Sequence, residues 1–293
     1  MRPALRLLAV DALRTLLTRR ASALLLVLLF GLLTAVSCSL QLAGESVVNG
    51  QVVPIDNETR SGLAVGVAYG GVHFLGLLLV LFVIVPAITG EMESGVASWI
   101  FVKPIGRETY LIARMLGGLL FLAAFSAFVV AGLEVLLLKY SGRFEARAIL
   151  GWVTLLILLA SYLGWGVLLS LHLGAGFGGL LVLLLAGLGA AVNLDPLTRI
   201  LLWGGGSGAP AGILDAFLAP LFGAEGPPFL ARAVYAALYF VLPGAGNVHD
   251  LAVGATFGRG LPIQGDAISL AIPVAGIPLA LLLSLWLLKK REF

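Results

Sequence analysis

Six stretches of about twenty residues each, nearly empty of charge, decide most of what this chain can fold into. They run from about Ser22 to Leu42, Leu63 to Thr89, Met115 to Leu138, Leu150 to Leu171, Gly176 to Asn193 and Ala267 to Leu288. A helix needs roughly 20 apolar residues to cross about 30 Å of hydrocarbon, and these stretches have that length. Only 11% of the 293 residues are charged and 60% are hydrophobic. A soluble domain carries about 25% charged residues, so a water-facing surface cannot be assembled from this composition. The short alternating segments of a membrane barrel are missing. The sequence therefore predicts an all-α polytopic membrane protein, one domain over residues 1–293, with the bilayer as its main solvent.

Between the apolar stretches the chain has distinct polar features. Residues 1–20 hold Arg2, Arg6, Arg14, Arg19 and Arg20 against Asp11, with Leu5, Leu8, Ala9, Ala12, Leu13, Leu16 and Leu17 at helical spacing. That pattern predicts an amphipathic helix lying at the membrane interface. The first apolar stretch is too long, starts too late and lacks the cleavage site of a signal peptide, so it reads as a retained helix. A polar loop carrying Glu45, Asn49, Pro54, Asp56, Asn57, Glu58 and Arg60 follows it. Residues 195–266 mix short apolar runs with Gly and Pro and predict an elaborated outer-face loop with short helices, re-entrant segments included as an alternative. Pro273 and Pro278 are expected to bend the last helix.

Gly62, Gly66 and Gly70 lie four apart, which aligns them on one face for close helix packing. Gly174 and Gly178 carry the same expectation for the fourth and fifth helices, joined by a tight turn. Six spans put both termini on one side. With the island described next, that side holds eleven of the 18 Lys and Arg residues, and so is expected to be cytoplasmic. An eight-span count keeps the same parity.

The segment 90–114 is a charged island between two greasy helices. It holds Glu91, Glu93, Lys103, Arg107, Glu108 and Arg114. Gly90 to Ile100 reads as a short helix with Glu91 and Glu93 favoured near its start by the helix dipole, and with Val96, Trp99 and Ile100 as an apolar face. Pro104 to Arg107 reads as a turn, and Thr109 to Arg114 as an amphipathic entry into the third span. A rigid element with acids, a Trp and a basic corner suits protein docking; an ordinary interfacial loop is the plainer alternative.

Chemistry-bearing motifs are scarce. There is no Walker A pattern, and the glycine run Gly204 to Gly208 lacks the lysine a phosphate cradle needs. There is no HExxH motif, no nucleophile elbow and no aspartate cluster. His73, His172 and His249 fall in separate regions. The lone cysteine, Cys38, can form neither an internal disulfide nor a thiolate cage. Basic residues flank the membrane segments, so the net charge of +3 does not point to nucleic acid. Glu134 is the one acid inside a span and marks a possible intramembrane polar site, against an interfacial role near the helix end.

The island resembles the loop between helices two and three of ABC-2 type ABC-transporter permeases, which often reads Glu-x-Glu-x-Gly-Thr, then Pro, then Ser-Arg, then a basic residue. Here these fall on Glu91, Glu93, Gly95, Pro104, Arg107 and Arg114, with Val96 for Thr and Gly106 for Ser as departures. The layout is similar too: basic amphipathic start, six helices, the Pro-Gly-x-x-Asn stretch at Pro243 to Asn247, and a basic tail. The chain looks like single-domain members whose ATPase is a separate polypeptide, the type used in nitrous-oxide-reductase maturation. The resemblance implies the transport subunit of an exporter in a bacterial inner membrane. It would pair with a second permease chain, identical or not, and with ATPase subunits that bind ATP and magnesium, while this chain holds no cofactor of its own. Glu91, Glu93, Gly95, Trp99, Pro104, Arg107 and Arg114 would form the coupling surface. A self-contained carrier or channel working through Glu134, and an intramembrane lipid-modifying enzyme, are the competing readings.

Overall fold

The computed structural model describes residues 3–18, 27, 29–38, 45–48, 51–54, 57–93, 106–142, 144, 147–191 and 265–290. The described residues are helical apart from one hairpin. In chain order the elements are α1 (Pro3–Thr18), α2 (Leu29–Cys38), β1 (Glu45–Val48), β2 (Gln51–Pro54), α3 (Asn57–Leu79), a π-helical turn (Val80–Ile84), α4 (Val85–Glu93), α5 (Arg107–Ser141), α6 (Ala148–Leu173), α7 (Ala175–Ala191) and α8 (Gly265–Lys290).

Among the described residues four helical stretches are long and apolar enough to cross a membrane: Ala64–Met92, Arg107–Lys139, Ala148–Leu173 and Pro273–Lys290. The other two expected spans are represented by the ten residues Leu29–Cys38 and the 17 of α7. Large apolar side chains point outward along the bundle, among them Phe30, Phe74, Phe82, Phe128, Leu184, Leu282 and Trp286. Such a surface is rare on a water-soluble monomer and is compatible with insertion into a bilayer.

The expected loop between the first two spans contains a β-hairpin. β1 and β2 pair antiparallel, with Val48 opposite Gln51. The two intervening residues in the sequence are Asn49 and Gly50, the pair best suited to a two-residue hairpin connection. The helix that follows begins at Asn57, six residues before the apolar run suggests. Of the expected elaboration at 195–266, all but the last two residues lie outside the described part, as do Pro243 to Asn247.

α6 is the central helix. Two thirds of its apolar stretch is buried inside the bundle (67%), against 28% for α8. It is the most buried of the four because it packs against α3, α5, α7 and α8 at once. Two hydrogen bonds tie α3 to it: Tyr69 donates to the carbonyl of Ala148 at 3.1 Å, and His73 Nε2 lies 3.0 Å from the Tyr162 hydroxyl, with the two rings stacked. A third, from Trp152 Nε1 to Ser126 Oγ at 2.8 Å, ties α5 to it. Buried polar groups in an apolar bundle must find such partners. For His73 the partner is the Tyr162 hydroxyl.

Glycines set two helix ends. Gly142 takes a left-handed conformation (φ 65°) and returns its N–H to Leu138, closing α5. Gly174 (φ 86°) alone separates α6 from α7. The return is tight: a Cβ at Gly178 would lie 2.5 Å from the backbone nitrogen of Ser170. The expected close approach at that turn is therefore present.

Of the expected stripe at Gly62, Gly66 and Gly70, a Cβ at Gly62 or Gly66 would meet nothing within 4 Å among the described residues. The close contacts of α3 fall at Gly71, against Leu32 of α2, and at Gly76, where a Cβ would lie 2.7 Å from Leu159 of α6. Its packed neighbours thus lie on an adjoining face, and Gly70 stays half-buried.

Candidate functional site

The charged island is divided differently from its sequence expectation. Glu91 and Glu93 do not open a short helix; they close a long one. The helical path from Asn57 runs through Gly90 and ends at Glu93. A carboxylate at a helix C-terminus faces the negative end of the dipole, so Glu91 needs a compensating cation. On the other side, α5 begins at Arg107, well before the apolar run, with Gly106 extended as its N-cap (φ −63°, ψ 139°). Glu108 in its first turn is at the favourable end of that dipole. Thr109 to Arg114 therefore forms part of one 35-residue helix. Gly95, Trp99 and Pro104 lie outside the described residues.

The cation that meets Glu91 is Arg114. Its side chain is only 9% exposed. Nη2 lies 2.8 Å from Glu91 Oε2, and Nη1 lies 3.5 Å from Asp11 Oδ2 on α1. Tyr110, one turn earlier on α5, donates its hydroxyl to the same Glu91 oxygen. The guanidinium carbon sits 5.4 Å from the Tyr110 ring centre, a cation–π distance. Three elements thus converge: α1 through Asp11, α4 through Glu91, and α5 through Tyr110 and Arg114. Arg114 Nε is buried with no hydrogen-bond partner among the described residues.

The two ion pairs differ in worth. Glu91 is 20% exposed and Asp11 58%. Breaking a buried, well-formed pair from one side costs about 3–5 kcal/mol, because the other charge is stranded. An exposed pair contributes roughly 0–1 kcal/mol. Arg114–Glu91 is therefore the strong contact and Arg114–Asp11 an orienting one.

What holds α1 in reach is packing. Ala9, Ala12 and Leu16 are buried against the bundle, so the apolar stripe expected to face the membrane interface is at least partly used on the protein. Gly117 of α5 makes the contact close. A Cβ there would lie 2.6 Å from Ala12 Cβ and 2.9 Å from the Ala9 carbonyl.

A second, exposed contact lies at this end of the bundle. Lys289 of α8 is 2.8 Å from Glu108 of α5, and Lys290 lies 3.8 Å over the Trp286 ring. Arg107 is half-buried at the start of α5. Glu134 is elsewhere, half-buried on α5 about two turns before Ser141. Among the described residues no three His, Cys, Asp or Glu side chains gather closely enough to hold a metal ion.

Sequence reasoning picked Glu91 and Arg114 and missed Tyr110 and Asp11 as their partners. One signal was available. Tyr110 and Arg114 are four apart, which places them on one helical face. Asp11, about a hundred residues away, gave only its oddity as the lone acid in a basic segment. The chain matches no known protein family and no curated protein.

Proposed function

We propose that this chain is the membrane-spanning subunit of an ATP-binding-cassette exporter of the ABC-2 type. Its charged end, which carries Asp11, Glu91, Arg114 and Lys289, faces the cytoplasm and receives force from a separate ATPase subunit. The single observation that supports the reading best is the Asp11–Arg114–Glu91–Tyr110 cluster. It locks an N-terminal helix and two apolar helices together between Glu93 and Arg107, the residues that flank the segment 94–105 in sequence. A push on that segment would then reach α1, α4 and α5 together. A transport subunit of this kind needs a helix bundle with two arrangements, whose balance an external motor shifts. A second permease chain, identical or not, completes the pathway, and ATP and magnesium bind to the ATPase.

The decisive measurement is copurification of the tagged full chain with an ATPase subunit from its native membrane, together with transport assayed in vesicles. Charge reversal at Glu91 and Glu93 is expected to abolish transport and weaken ATPase association. Intact association and transport in that variant would remove these residues from the coupling surface. Gradient-driven transport without ATP, lost on Glu134→Gln, would favour a self-contained carrier. Turnover of a lipid by the purified chain alone would favour an enzyme.

A further inference from the structure

The path from Asn57 to Glu93 is not one uniform helix. Between α3 and α4 the backbone widens into the π-helical turn Val80–Ile84, where the Val85 N–H bonds to the Val80 carbonyl, five residues back. The next residue is Pro86, which has no N–H to give. The Leu81 carbonyl therefore loses its donor four residues on to the wide turn and its donor five residues on to proline. Single π turns inside long helices recur at functional sites, and a carbonyl without its usual donors weakens the ladder locally.

The surroundings are shaped to the wide turn. Three neighbouring helices each present a glycine to it. A Cβ at Gly118 of α5 would lie 2.5 Å from Ile84 Cγ2, and one at Gly166 of α6 would lie 2.8 Å from Val85 Cγ2. A Cβ at Gly179 of α7 would lie 3.8 Å from the Leu81 carbonyl oxygen. The segments on either side share packing neighbours but differ in their polar ties. Before the turn, α3 packs on α5 and α6 and is tied to α6 through Tyr69 and His73. After it, α4 packs on α6, α7 and α5 and is tied to α5 through Glu91.

We infer that the Val80–Ile84 turn with Pro86 is a hinge about which α4 turns against α3, carrying Glu91 onto or away from Arg114 and Tyr110. The wide turn holds one residue more than an α turn, so closing it to an α turn at unchanged chain length rotates everything after it. One residue corresponds to roughly 100° of rotation and 1.5 Å of rise. Either displacement is large enough to break an ion pair at hydrogen-bond distance. The inference rests on this geometry and stands apart from the proposed ATPase coupling.

The test uses the full chain in membranes with its one cysteine replaced (Cys38→Ser). An inner pair, E91C with R114C, and an outer pair, Y69C with A148C, are each cross-linked with a short bis-maleimide. Both are expected to react. Pro86→Ala restores the N–H without changing chain length, so the wide turn can close to an α turn and rotate α4 by roughly 100°. The inner yield should then fall about threefold and the outer yield stay within about twofold, as that rotation demands. Deletion of Phe82, whose side chain is 68% exposed and so leaves little cavity, takes out the extra residue and closes the turn with the azimuth of α4 unchanged; here the inner yield should stay within about twofold. An undiminished inner yield in Pro86→Ala, or loss of both pairs in either variant, overturns the hinge. Failure to copurify an ATPase alongside a shifted inner yield would sink the coupling proposal and leave the hinge standing.

Discussion

The two halves of the Asn57–Glu93 helix are held in place by different physics. The half before the π turn meets α6 through neutral hydrogen bonds and close packing at Tyr69, His73 and Gly76. The half after it meets α5 through charge, at Glu91 and Arg114. Inside an apolar bundle an ionised pair must overcome a large desolvation cost, so small residues and shared protons hold the helices there. At the end of the bundle the cost falls and a guanidinium bridging two carboxylates becomes affordable. A neutral seam is rigid and insensitive to charge; a charged seam can be remade by a new charge brought from outside.

That contrast can be broken most sharply at Arg114. Arg114→Ala strands Glu91 among buried groups and should lower stability by about 3–5 kcal/mol, read by thermal unfolding of the purified chain in detergent. Arg114→Lys should recover only part of this, since an ammonium cannot bridge two carboxylates as a planar fork does. Full recovery by lysine would mean that charge alone, not the forked geometry, matters there. Gly117→Leu comes next. Its side chain would collide with Ala12 and with the Ala9 carbonyl, and an overpacked contact costs about 1–3 kcal/mol. α1 should detach, and protease cleavage of residues 3–18 should become faster while the bundle stays folded. Unchanged cleavage would show that α1 is held by other contacts.

The neutral seam should respond more weakly. Tyr162→Phe removes the His73 contact but keeps the ring, and hydrogen bonds between membrane helices average about 0.6 kcal/mol. A loss as large as that of Arg114→Ala would erase the distinction between the two halves. Smallest of all is Lys289→Ala. Its pair with Glu108 is exposed on both sides, so the unfolding temperature should be unchanged within error; a clear drop would show that α8 depends on this contact.

Where the chain is simply greasy, its local fate was readable. The runs around Leu63 to Thr89, Met115 to Leu138 and Leu150 to Leu171 reappear as α3 with α4, α5 and α6, because the length of an uncharged stretch and its backbone hydrogen-bonding need leave a helix as the only economical form. Helix ends were misjudged where polarity was taken for a boundary. α5 begins at Arg107 rather than Met115 because Arg, Glu and Thr extend a helix into water at modest cost. Glu91 and Glu93 were placed at a helix start because acids favour that end; Arg114, distant in sequence, makes the opposite end tolerable.

The sequence by itself determined that this chain is a set of apolar helices with a charged break between the second and third, since composition and run length are local quantities that any chain of this pattern must obey. Only the tertiary structure decided that Asp11, Glu91, Tyr110 and Arg114 meet, that Gly71 and Gly76 take close contacts, and that a wide turn precedes Pro86. Each of those depends on which helices become neighbours, and neighbours are chosen by the packing of whole surfaces, which no local pattern encodes.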